Sequence, residues 1–74
     1  MMKTKEKPRN FYYVCNWSGY WYIIRANNKA EARSHGVKEF SRGSVKSVDV
    51  ASEGEILSYM SLKGLHNRED IDEV

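Results

Sequence analysis

A single cysteine, a single proline and no apolar run that approaches a membrane span set the first limits on this 74-residue chain. Cys15 alone cannot close an internal disulfide, and no Cys/His cluster has the spacing of a metal site. In a predicted strand such a cysteine reads as a small buried hydrophobe, with an intermolecular disulfide or a reactive thiol as the alternatives. This cysteine usage fits a reducing compartment. Met1 to Asn10 lacks the apolar centre of a signal peptide, so the expectation is a soluble protein of the cytoplasm with no membrane contact.

Catalytic equipment is equally sparse. There is no phosphate-cradling glycine loop and no dinucleotide fingerprint. Cys15 and His35 fall on separate predicted elements, and no third group is placed to orient them. Asp49, Glu53 and Glu55 cluster, but helix capping and solvation account for them. The reading is therefore not an enzyme, with no catalytic residue, no cofactor and no metal. A chain this short forms one small core that buries only roughly 60% of the unfolded surface. Without a disulfide or metal its stability is marginal unless a second subunit helps.

What the chain does have is rings. Seven of its nine aromatic residues fall between Phe11 and Ala26, in FYYVCNWSGYWYIIRA. Two β-rich runs meet at Asn16-Trp17-Ser18-Gly19, which predicts a hairpin with strands over Phe11–Asn16 and Tyr20–Ala26. Rings occupy both pleats, so either both faces pack or one is offered to a partner. The preferred register puts Tyr12, Val14, Tyr22 and Ile24 inward, with Tyr13, Trp21, Ile23 and Arg25 outward.

The rest follows in order. Met1 to Asn10 reads as a flexible basic arm. Asn28 with Glu31 resembles a capping box, opening a helix from Lys29 to about Phe40 with Ala32, Gly36, Val37 and Phe40 on its inner stripe. His35 lies off that stripe and is expected in solvent. Gly43 is the expected left-handed helix stop. Ser44 to Ala51 predicts a third strand, and the step from Val45 to Val48 breaks alternation, as a bulge or a late start does. Ser52-Glu53-Gly54-Glu55 is a capping box before a second helix to about Lys63, with Ile56, Leu57 and Met60 inward and Gly64-Leu65 closing it. His66 to Val74 is an acidic tail, expected to fray, although Ile71 and Val74 are able to dock on a partner or on the same fold.

These elements predict an α+β domain over residues 11–65: β-β-α-β-α, with a three-stranded antiparallel sheet ordered 2-1-3 and the first helix across one face. The second helix is expected to flank the sheet or extend outward, which leaves much of the second face bare.

Net charge is +2, unevenly spread. The arm and the stretch from Arg25 to Lys46 are basic, whereas acids dominate from Asp49 onward. Tyr22 to Ala26, then Ala30-Glu31-Ala32, then Ser44-Val45 and Val48 to Ser52 before a short amphipathic helix, look like small orphan proteins of bacteriophages and mobile elements. Compact anti-CRISPR proteins are similar in joining a strand, an alanine-marked helix and a Val-rich strand. The resemblance spans Phe11 to Gly64 and implies a phage-borne accessory protein, resident in the host cytoplasm, that binds and blocks a host defence complex.

Two functional readings follow. In the first, a protein partner docks on Tyr13, Trp17, Trp21 and Arg25 of the sheet, with Arg33 and Lys38 steering from the helix rim. In the second, nucleic acid stacks on the rings while Arg42, Lys46 and the arm residues Lys3, Lys5, Lys7 and Arg9 hold phosphates. A homodimer that buries the free face is compatible with both.

Overall fold

The chain folds in the order expected. In the computed structural model, which describes residues 10–74, β1 (Asn10–Asn16) and β2 (Trp21–Ala26) form the hairpin, followed by α1 (Lys29–Phe40), β3 (Val45–Val50) and α2 (Glu53–Lys63). The three strands make one antiparallel sheet ordered β2-β1-β3. The arm residues Lys3, Lys5, Lys7 and Arg9 lie outside the described residues, and the last residue of the expected arm, Asn10, instead begins β1 opposite Ala26.

Local chemistry explains each boundary. The Asn16 side chain accepts from the Ser18 and Tyr20 amides at 3.0 and 2.9 Å, which folds the hairpin turn back on itself. Asn28 caps α1 by accepting from the Glu31 amide, and Glu31 reaches back to the amide of Asn27. The helix ends at Phe40 as expected and Gly43 is left-handed, but the C-cap is Ser41, which also takes a positive φ and donates its amide to the carbonyl of Val37 at 2.8 Å. In β3 a bulge is present: Cys15 pairs with Ser47 and Asn16 with Val45, so Lys46 is the extra residue. Ser52 and Glu55 complete the capping box of α2. At its other end the Leu65 amide donates to Met60 and the Gly64 amide to Ser61, the paired bonds of a Schellman closure.

The first face of the sheet matches the preferred register. Tyr12, Val14, Ile24, Ala26 and Val48 are buried there against Ala32 of α1, with Tyr22, Phe40 and Val45 packed at the margin. Gly36 lets α1 lie that close, because a Cβ in its place meets Val14 Cγ1 at 2.9 Å and Val45 Cγ2 at 3.3 Å.

The second face is where the structure departs from expectation. It is covered, not bare: α2 and the C-terminal segment lie over it, and Ile23, Ile56 and Ile71 are buried together. Phe11, Tyr13, Trp21, Tyr59, Met60 and Leu65 pack around that centre. Within α2 it is Tyr59, not Leu57, that joins Ile56 and Met60 on the inner side, and Leu57 is exposed. The tail is not frayed beyond residue 65: a 3-10 turn (Arg68–Asp70), capped by Asn67, delivers Ile71 into the core at 1% exposure. Residues 72–74 then run parallel to β2, with the Arg25 amide donating to Asp72 and the Val74 amide to Arg25. No helix among the described residues is long and apolar enough to cross a membrane.

Candidate functional site

Six residues were expected to gather on one protein-binding surface, and the structure disperses them. Arg25 is 5% exposed, its guanidinium engaged within the fold. Its Nε donates to the Ile71 carbonyl at 3.0 Å and its Nη2 to the Glu69 carbonyl at 2.8 Å, while Glu73 and Glu69 supply carboxylates at 3.1 and 3.8 Å. A guanidinium offers five donors in a fixed fork, so it can hold a turn of backbone and its carboxylates at once. Its role here is to clamp the C-terminal segment to the sheet.

Tyr13 and Trp21 are half-buried and stack on each other with centroids 5.3 Å apart. Tyr59 of α2 meets the indole of Trp21 at 5.9 Å. These rings serve the second core, which corrects their expected outward placement; Ile23, also expected outward, is fully buried. Burial, ahead of the charges of Cys15 and Glu55, holds the Tyr13 phenol above its ordinary range. Arg33 is exposed on α1, and Lys38 stands beside Glu73 and Val74 of the tail.

His35 is not free in solvent as expected. Its Nδ1 lies 2.8 Å from the Tyr22 hydroxyl. Burial, then Glu39 and Tyr59, push the Tyr22 phenol far above the usual phenol range. The phenol therefore keeps its proton, and the two side chains share one hydrogen bond whose donor is set by the imidazole tautomer. Cys15 is buried with its sulfur 3.2 Å from the Ser47 hydroxyl, in agreement with a packing role. Among the described residues no three His, Cys, Asp or Glu side chains converge as a metal site.

Of the expected rings, one stands where a partner can reach it. Trp17, at the hairpin turn, is 69% exposed, and Tyr20 on the other side of the turn is 70% exposed. The Trp17 amide donates to the Ser44 carbonyl at 3.1 Å, so the loop that carries Arg42 is tied to the turn. The bulge aims Lys46 at the same place: its ammonium lies over the Trp17 ring, 5.7 Å from the centroid. Two wet rings, with Lys46 over one of them and the loop of Arg42 tied to the turn, thus occupy one end of the molecule, opposite the end where Arg25 gathers Glu69 and Glu73. Tyr20 was not among the expected site residues. Its signal was its position beside Gly19, where a strand has not yet begun and no neighbour covers a ring.

No protein-family model, curated protein or solved structure matches the chain.

Proposed function

We propose that the chain is a non-enzymatic protein-binding module that docks through its hairpin end. Trp17 and Tyr20 supply the anchors, and Arg42 and Lys46 steer toward an acidic partner surface. The observation that carries this reading is the contrast within one hairpin: five of its rings are packed on one face or the other, and two are left wet at the same end. Tryptophan and tyrosine bury large areas at little entropic cost, so a pair of them beside cations suits an interface centre. Blocking a host defence complex, the role that the resemblance to phage proteins implies, is a binding task of this kind and needs no catalytic group.

The expectation of a homodimer rested on a bare sheet face, and α2 with the tail removes that ground. Nucleic acid is the second reading, favoured by Lys46 over the Trp17 ring, which sets a cation beside a surface that can stack a base. Titration of the tryptophan fluorescence with oligonucleotides at two salt concentrations separates the two. Quenching that fades steeply with salt supports nucleic acid, and a flat response removes it. For the protein reading, affinity capture from bacterial lysate compares wild type, Trp17→Ala and a distant control, Leu62→Ser. A partner lost only with Trp17→Ala is the expected result; one retained equally by all three ends the proposal.

A further inference from the structure

A groove of about 370 Å³ runs along the outer edge of β2, between the C-terminal halves of α1 and α2. Its walls are unlike the basic hairpin end. Rings line it from three elements, among them Trp21, Phe40 and Tyr59, and two carboxylates, Glu39 of α1 and Asp72 of the tail, face the same space. Among the described residues neither carboxylate has an ion-pair partner. Their field is felt inside: after burial, Asp72 and Glu39 are what raise the Tyr59 phenol, and Glu39 adds to the rise at Tyr22. His35 also lines the groove, and one ammonium, Lys63, borders it and lies over the Tyr59 ring at 5.7 Å, so two carboxylates face one ammonium. That contact shows the chemistry the walls favour, a cation against an aromatic face.

We propose that this groove receives an arginine side chain presented by the protein partner. A guanidinium stacks flat on aromatic rings and bridges carboxylates through its fork of donors, which a compact ammonium does less well. Tyr20 lines the groove and also stands at the hairpin end, so the two surfaces are continuous. A partner with an acidic surface facing Arg42 and Lys46, and one arginine beside it, engages both. The inference rests on the protein-binding reading, because nucleic acid offers no such cation.

The probe is a short peptide, acetyl-Gly-Arg-Gly-amide, titrated into the full chain and followed by NMR at the Trp21 indole, the Tyr59 ring and the Ile23 methyls. Binding in the millimolar range is expected, with those signals moving and Val48 on the other face still. The citrulline peptide, of the same shape without charge, is expected to leave the spectrum unchanged. Glu39→Gln with Asp72→Asn should weaken binding roughly fivefold or more; both positions are exposed, and thermal melts confirm that the variant folds. Equal response to citrulline, or no change in the double variant, overturns the assignment. Tighter binding by a chain lacking residues 1–9 overturns it too, because the chain's own basic arm is then the occupant. A partner that depends on Trp17 while the peptide moves nothing removes this inference and leaves the hairpin-end reading standing; a peptide that binds while Trp17→Ala captures as wild type does the reverse.

Discussion

The guanidinium of Arg25 lies 3.1 Å from the carboxylate of Glu73, and through it the end of the chain is fastened to the edge of the sheet. The clamp is built on backbone as much as on charge. Two carbonyls, those of Glu69 and Ile71, take their hydrogen bonds from the same side chain. Replacing Arg25 by Met keeps most of the stem's packing but strands both carbonyls near the core. A loss of about 2–4 kcal/mol is expected in urea unfolding, since each orphaned buried acceptor costs about 1–3 kcal/mol. Glu73→Gln should cost under about 1 kcal/mol, because that carboxylate is partly solvated and the carbonyl bonds survive. Comparable losses from the two variants contradict the clamp.

Two helical glycines provide an internal control on packing. Gly36→Ala gains about 1 kcal/mol of helix propensity, but its methyl enters the space of Val14 and Val45. Val14 is fully buried and cannot yield freely, so strain of about 1–3 kcal/mol is expected to win. Gly54→Ala in α2 meets nothing within 4 Å. It should stabilise by a few tenths to about 1 kcal/mol. Chemical denaturation of both variants checks the sign of each, and a stabilised Gly36→Ala contradicts the tight seating of α1.

Much of this architecture was legible because local signals agreed. Asn28, Ser52 and Gly64 marked helix ends through side-chain and carbonyl chemistry that acts over three or four residues. The uneven step from Val45 to Val48 announced the bulge at Lys46. What escaped was long-range. Arg25 reads as an exposed strand residue until Glu69, Ile71 and Glu73 are brought to it, and nothing in the spacing of those residues fixes that meeting. An acidic tail looks solvated unless Ile71 is recognised as its anchor, and one isoleucine among four acids and an arginine is a weak signal. For the same reason the exposure of the rings was misjudged: Tyr13 and Trp21 pack against Tyr59 and the second core, which leaves Trp17 and Tyr20 as the free rings of the hairpin.

That redistribution separates two tryptophans that look alike in sequence. Trp17→Ala should change stability by less than about 0.5 kcal/mol, as surface substitutions do, while abolishing partner capture. Trp21→Ala removes the stack with Tyr13 and the contact with Tyr59, and should cost about 2–3 kcal/mol for a half-buried ring. Unfolding curves and capture measured on the same two variants make the test. A Trp17→Ala protein that is strongly destabilised, or that binds as wild type, contradicts the assignment of the hairpin end.

Alkaline titration addresses the pair formed by Tyr22 and His35. The folded chain holds the Tyr22 phenol above the value of 10.0 expected when unfolded, through burial first and then the charge of Glu39. An acid whose folded pKa is raised binds its proton more tightly in the native state than in the unfolded one. Its contribution to stability is therefore complete below about pH 10 and is lost as pH climbs through the folded value. Ultraviolet absorbance should show Tyr22, together with the less strongly shifted Tyr13 and Tyr59, ionising late. Unfolding free energy should decline above about pH 10. Tyr22→Phe keeps the ring packed against Phe40 and deletes the hydroxyl that is hydrogen-bonded to His35. It should flatten that alkaline decline without altering the slope below it. An unchanged profile in Tyr22→Phe means that the phenol is not held neutral by its surroundings.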